Sequence, residues 1–365
     1  MSRLSGKIVT PSGVVTGSIS VEDGRIAAIS PSTSVTSPDT EQWIVPGFVD
    51  IHTHGGGGHT FTTGDADAAR QAAGFHRRHG TTTLLASLVS SPFELMRDAT
   101  LAFRPLVEEG VLHGIHFEGP YLAELRCGAQ NPAYLRDPST AEITELIKLG
   151  EGSVRMMTIA PERAGALEAI ELLVAEGVVA AIGHTDASYE QALAGVAAGA
   201  RVATHLFNGM RPIHHREPGP ILALLGSPQI AVELVADGFH LHDGTLAFAA
   251  RTAGLDRTVL VTDAMTAAGM PDGEYELGGQ AVVVADRVAR LARDGSIAGS
   301  TLTMDSAFRQ AIGAGLSISE VVRATSTTPA TVLGLDGDRG TLEVGKRADI
   351  VTLSPSFEVT SVMSA

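Results

Sequence analysis

Cysteine is all but missing from the chain. Cys127 stands alone among 365 residues, so a disulfide within the chain is impossible and a thiolate metal cluster has too few ligands. Positive charge is scarce as well. The 26 Lys and Arg set against 41 Asp and Glu leave a formal net charge of -15. That argues against nucleic acid as a partner, because binding a phosphate backbone needs a basic surface. A small anionic substrate remains open, since one local arginine can hold a phosphate against the global charge. No stretch approaches the roughly 20 apolar residues of a membrane span, and the opening MSRLSGKIVTPSG lacks the apolar core of a signal peptide. No membrane partner is expected, and the cytoplasm is the expected location. The spacing G-x-x-x-x-G-K-S/T is missing too, so the glycines at 55–58 are no phosphate fingerprint.

What is present is the composition of a folded, soluble chain: 44% hydrophobic and 18% charged residues, with 41 glycines mostly beside apolar runs. The length suits one large domain with a small accessory one. Residues 1–46 and 335–365 read as short β-branched strands split by Gly, Asp and Pro, such as GKIVT, EQWIV and FEVTSVM. Residues 47–334 have a different rhythm, in which apolar runs of strand length alternate with alanine-rich helical stretches. Eight strands are expected there, at 47–51, 81–89, 112–117, 154–160, 178–183, 201–207, 230–237 and 258–263. A β insert is expected near 271–300, followed by a helical pair. The two ends are expected to combine into one small β-sandwich domain.

Eight βα units can form an open sheet or a closed barrel, and the polar residues decide between them. His52 and His54 follow strand one, Glu118 strand three, His184 strand five and His240 strand seven. His205 closes strand six and Asp263 ends strand eight. An open sheet would scatter these positions, whereas a (β/α)8 TIM-like barrel gathers them at the C-terminal mouth.

The two histidines of D-I-H-T-H are two apart on an extended segment and point the same way, as a divalent metal such as zinc requires. Glu118, just before Gly-Pro, can bind one metal or bridge two. His184 and His205 end strands that are neighbours in a barrel; taken singly each is an ordinary buried histidine, but with Glu118 they form a metal set. His116 reads as core. Asp263 closes an apolar run, where a buried carboxylate is costly unless paired or coordinated. It can take a proton from water and hand it to a leaving amine. In the loop after strand six, Asn208, Gly209 and neighbouring N–H groups can bind a polar ligand, and Arg216 can grip a phosphate with its fork of donors. His240 can meet a sugar hydroxyl or the reacting amide.

In order and spacing, PGFVDIHTHG, GIHFEGPYL, IGHTDA, THLFNGM, HHREPG, ADGFHL, VTDAM and GTLEVGKRADIV resemble the N-acetylglucosamine-6-phosphate deacetylases of the amidohydrolase superfamily. The resemblance spans nearly the whole chain. It implies Glu118, His184 and His205 as ligands of a main divalent ion, and His52, His54 and Asp263 as holders of a second. Two zinc ions are favoured because both histidines of the first motif are kept. It further implies Asp263 as catalytic acid and base, Asn208 and Arg216 at the substrate phosphate, His240 against the substrate, and a homodimer. One position departs: where such enzymes read Gly-Xaa-His-Asn-Pro, this chain has Gln130, which can donate a hydrogen bond to the carbonyl or substrate but cannot carry charge. The fourth strand, VRMMTIA, has no lysine of the kind that bridges two metals in cyclic-amide hydrolases. Such a cyclic-amide hydrolase is the nearest rival, and a deacetylase for the galacto epimer of the sugar is harder to exclude, because one hydroxyl orientation leaves little trace in a sequence.

Overall fold

The computed structural model describes residues 2–31 and 41–364. Eight parallel strands form one sheet in sequence order: Phe48–Asp50, Thr81–Leu88, Gly114–Glu118, Val154–Ile159, Val179–Ile182, Val202–Ala203, Ala231–Val235 and Thr258–Val261. Their residues are buried almost throughout, which is why they read as continuous apolar runs rather than alternating ones. Helices cross between them, among them Ala66–Arg78, Phe93–Glu108, Ala166–Ala175 and Tyr189–Ala197. Their starts are set locally: the Asp65 side chain accepts from Ala68 N, and Ser188 forms a reciprocal capping box with Gln191. Small residues such as Ala69 and Ala72 face inward, so the helices lie close on the strands.

The first and eighth strands share no regular ladder, yet their ends are tied together. Asp263 N donates to His52 O at 2.9 Å and His54 N to Ala264 O at 2.7 Å. The buried Asp50 carboxylate accepts from Thr262 Oγ1 at 2.6 Å and Thr262 N at 3.3 Å. This seam closes the sheet into a barrel.

Two strands are shorter than the sequence suggests. The sixth is regular only over Val202–Ala203, and the eighth stops at Val261. The cause is backbone conformation beyond them: His205, Phe207 and Asp263 all have positive φ, at 27°, 81° and 49°. The pleat cannot continue through such residues. His205 and Asp263 therefore sit just past the strands they were expected to end.

The chain ends build one hydrogen-bonded set of six strands beside the barrel. In spatial order they are Val359–Met363, Ile350–Leu353, Trp43–Pro46, Ser2–Thr10, Gly13–Glu22 and Arg25–Pro31. Ile8, Ile19, Ile26, Ile44 and Ile350 form its core. After the eighth strand, Gly273–Leu277, Gln280–Ala285 and Val288–Leu291 make an antiparallel three-stranded insert. Among the described residues no helix is long and apolar enough to cross a membrane.

Candidate metal centre and active site

Glu118 stands at the middle of the barrel mouth. Its Oε1 lies 3.0 Å from His184 Nε2, 2.9 Å from His205 Nε2 and 3.5 Å from His52 Nε2. Its Oε2 lies 3.2 Å from His54 Nε2. Asp263 Oδ1 is 3.3 Å from His54 Nε2 and 3.7 Å from His52 Nε2. Four histidines and two carboxylates, drawn from five strand ends, thus converge on one buried space.

The ring orientations are enforced from behind. His52 Nδ1 bonds Glu233 Oε2 at 3.0 Å, His54 Nδ1 bonds Ser87 O at 3.0 Å, and His184 Nδ1 bonds Arg126 O at 2.7 Å. An acceptor at Nδ1 places the proton there and turns the Nε2 lone pair toward the shared space, as metal ligation demands. Gly209 makes the His184 arrangement possible: at φ 60° it packs so close that a Cβ there would lie 2.7 Å from His184 Nδ1. His184 and Asp263 themselves hold positive φ, at 45° and 49°. Such strain costs roughly 1–3 kcal/mol per residue and is retained where geometry serves function.

The electrostatics ask for a cation. Burial opposes charge on every group here, yet contacts with Asp263 and Glu118 lift the His54 imidazolium to about 9. His52 and His184 are also raised, against burial, by the facing carboxylates. Burial pushes Glu118 up, but His52 and His184 overcome it and hold the carboxyl well below its usual range. Without a cation, protons on the imidazoles must balance the carboxylates; a divalent ion on the same nitrogens would replace them. The donor set fits such ions. Among the described residues, His52, His54 and Asp263 form one possible metal group, and Glu118, His184 and His205 another. Within each, the ligand atoms lie within 4.8 Å of one another.

The mouth opens into a cavity of about 330 Å³, the size of a small-ligand pocket. Asn208, Gly209, His240 and Gln130 line it. Asp237 Oδ2 orients His240 through Nδ1 at 2.7 Å, leaving His240 Nε2 3.9 Å from Asp263 Oδ2. Asn208 turns its amide nitrogen to His205 O at 3.3 Å. Gln130 is spoken for on both sides: Ser90 N donates to its Oε1 at 2.6 Å, and its Nε2 donates to Glu118 Oε2 at 2.7 Å. Its amide therefore steadies Glu118. Arg216 is not brought to this cavity; it is exposed and donates to His215 Nε2 at 2.7 Å. His116 is fully buried between Ser87 and Thr158, in keeping with a core position.

Four residues escaped the sequence reading. Leu277 and Ile297 of the insert line the cavity, and nothing in a strand-like stretch signals that it folds over a mouth. Asp50 pins the barrel seam. Glu233 bonds both His52 Nδ1 and, at 3.1 Å, His205 N, reaching one residue of each metal group. A signal for Glu233 existed, since a carboxylate in the middle of the apolar run IAVELVA must have a buried partner. Glu233→Gln is expected to weaken metal binding by roughly 10–100-fold, as loss of an outer-sphere partner typically does. Competition with a chelator followed by metal analysis measures this, and unchanged affinity would reject the role.

Fold and site define a class: a (β/α)8 hydrolase with a centre fitted for divalent cations. The chain belongs to the amidohydrolase family, whose model matches residues 43–365. It is 37% identical over 348 residues to an N-acetylgalactosamine-6-phosphate deacetylase of Escherichia coli O157:H7, covering 94% of this chain and 92% of that protein. It is 35% identical to an N-acetylglucosamine-6-phosphate deacetylase of Bacillus subtilis, covering 96% and 92%. A solved structure of a mutant N-acetyl-D-glucosamine-6-phosphate deacetylase from Mycobacterium smegmatis, in complex with N-acetyl-D-glucosamine-6-phosphate, superposes with a TM-score of 0.95. That pair is 43% identical, over 99% of this chain and 97% of the other.

Proposed function

We propose that the chain hydrolyses the N-acetyl group of N-acetylglucosamine 6-phosphate, giving acetate and glucosamine 6-phosphate. The observation that carries this reading is the convergence of His52, His54, Glu118, His184, His205 and Asp263 at one mouth, in a chain 43% identical to the substrate-bound mycobacterial structure. The galacto epimer is a second reading, favoured by the Escherichia coli relative. Acetate release from each epimer decides between them. A higher kcat/KM for the gluco epimer is expected, the reverse ranking would move the assignment to the galacto epimer, and no acetate from either would overturn both.

Glu118, His184 and His205 would hold one divalent cation, and His52, His54 and Asp263 a second, both zinc by the chemistry of the ligands. Held by these residues, such cations would supply Lewis-acid polarisation of the acetyl carbonyl and a lowered pKa for the attacking water. Asp263 takes the proton of the attacking water and returns it to the nitrogen as the C–N bond breaks, because an amine leaves poorly as an anion. His240, oriented by Asp237, faces the reacting amide or the sugar. Gln130 keeps Glu118 in place. Asn208 and Gly209 shape the wall next to the sugar.

The phosphate requires a further group, since no lysine or arginine lines the cavity among the described residues. The exposed Arg216 supplies it from a second copy of the chain, in a cytoplasmic homodimer. Arg216→Ala is expected to raise KM for the phosphorylated sugar far more than for the free sugar. Equal effects on both substrates, or a strictly monomeric active enzyme, would remove Arg216 from this role.

A further inference from the structure

At the opposite end of the barrel from the metal-type residues lies a separate pocket of about 280 Å³. It opens among the N-terminal ends of the second, third and fourth strands. His113, Arg155, Arg339 and Thr83 line it, and no Asp or Glu side chain does so among the described residues. In a chain of net charge -15, a pocket walled by two guanidiniums and an imidazole is an unusual concentration of donors. Two polar atoms of this set are without a partner: His113 Nε2 and Arg155 Nε are buried and make no hydrogen bond among the described residues. Buried polar groups are normally satisfied, so an unused pair calls for a partner that the chain itself does not provide.

The arginines are held rather than mobile. Arg155 Nη2 donates to Leu333 O at 2.7 Å. Its stem lies across Gly114, where a Cβ would come within 2.1 Å of Arg155 Cγ, so only glycine gives the side chain its passage. Arg339 Nη1 donates to Thr83 Oγ1 at 3.0 Å. Asp349, outside the lining, is shared between two arginines, 3.7 Å from Arg339 Nη1 and 3.4 Å from Arg347 Nε. The local field is positive: burial, then Arg339 and Arg155, hold the His113 imidazolium down to about 4.

We infer that this rim pocket binds a small tetrahedral oxyanion, with inorganic phosphate as its occupant. Two guanidiniums and an imidazole line one space, a set that matches several acceptor oxygens of one ion better than a single-point halide. The bound ion would tie three barrel strands to the 333–339 segment that returns the chain to the small β domain. It would stabilise the folded chain by mass action, without touching the reaction centre. The inference is independent of the substrate assigned above.

The test is thermal unfolding and calorimetric titration of the full chain with inorganic phosphate, against chloride at matched ionic strength. Wild type is expected to show phosphate-specific stabilisation. In Arg155→Met it should weaken by roughly tenfold or more, the scale of one charge-assisted hydrogen bond, while acetate release stays unchanged. Arg155→Lys, which keeps the charge but loses the fork, should fall between and carries the comparison if the methionine variant does not fold. Persistence of the full effect in Arg155→Met would overturn the site. So would loss of the effect in Asp263→Asn, which would place the phosphate at the catalytic mouth. Tighter Arg155-dependent binding of glucosamine 6-phosphate than of inorganic phosphate would overturn the occupant.

Discussion

Replacing Asp263 by asparagine is expected to lower kcat by roughly two to four orders of magnitude, the range general acid–base catalysis contributes, with substrate binding preserved. The side chain keeps its size and one oxygen that can face the histidines, so the mouth retains its shape. What it loses is the capacity to accept and release a proton. Asp263 alone joins the two halves of the proposed chemistry: Oδ1 faces His54 and His52, while Oδ2 faces His240. No other carboxylate in the cluster is placed for this. Glu118 is occupied by four histidines and Gln130, and Glu233 lies behind His52. The measurement is acetate release with metal content checked in parallel. Near-normal turnover in a metal-replete Asp263→Asn enzyme would reduce the residue to a pin of the barrel seam.

The second large effect is expected at Glu118. Glu118→Gln should lower metal content and drop activity beyond the ~10–100-fold that loss of an outer-sphere partner costs. The wild-type carboxylate bridges the space between both metal groups, with one oxygen toward His184 and His205 and the other toward His54. Glutamine offers one neutral oxygen in place of two charged ones. The buried imidazoles then lose their main counter-charge, and breaking such a buried network costs several kcal/mol. Metal analysis of the dialysed variant beside kcat is decisive. A variant that holds two ions per chain and turns over like wild type would show that Glu118 is not a shared ligand.

The six metal-type residues were legible in the sequence because each follows an apolar run that can only be a buried strand, and a barrel puts all such ends on one side. The supports behind them were not. Asp50, Ser87 and Glu233 lie within the strands, and their partners sit across the barrel, beyond the reach of any local pattern. Gln130 was legible as a mouth residue, but its direction was not, because the backbone N–H of Ser90 fixes which end of the amide meets Glu118. Arg216 shows the opposite limit. Its chemistry was plain, but a single chain leaves it at the surface.

The seam between the first and eighth strands gives the reaction centre a second duty. The backbone links that join them belong to His52, His54, Asp263 and Ala264, the same short segments that carry one of the two groups able to hold a metal. Chemistry and closure therefore share one clasp. If the centre holds the divalent ions proposed for it, removing them should loosen the molecule first where its ring is fastened, visible as faster amide exchange at Asp263 and His54 than at the laddered strands opposite. Because the links are main-chain N–H and C=O groups, a lineage that abandoned the reaction could change these side chains and keep the ring fastened, and only proline at position 54 or 263 would remove a link.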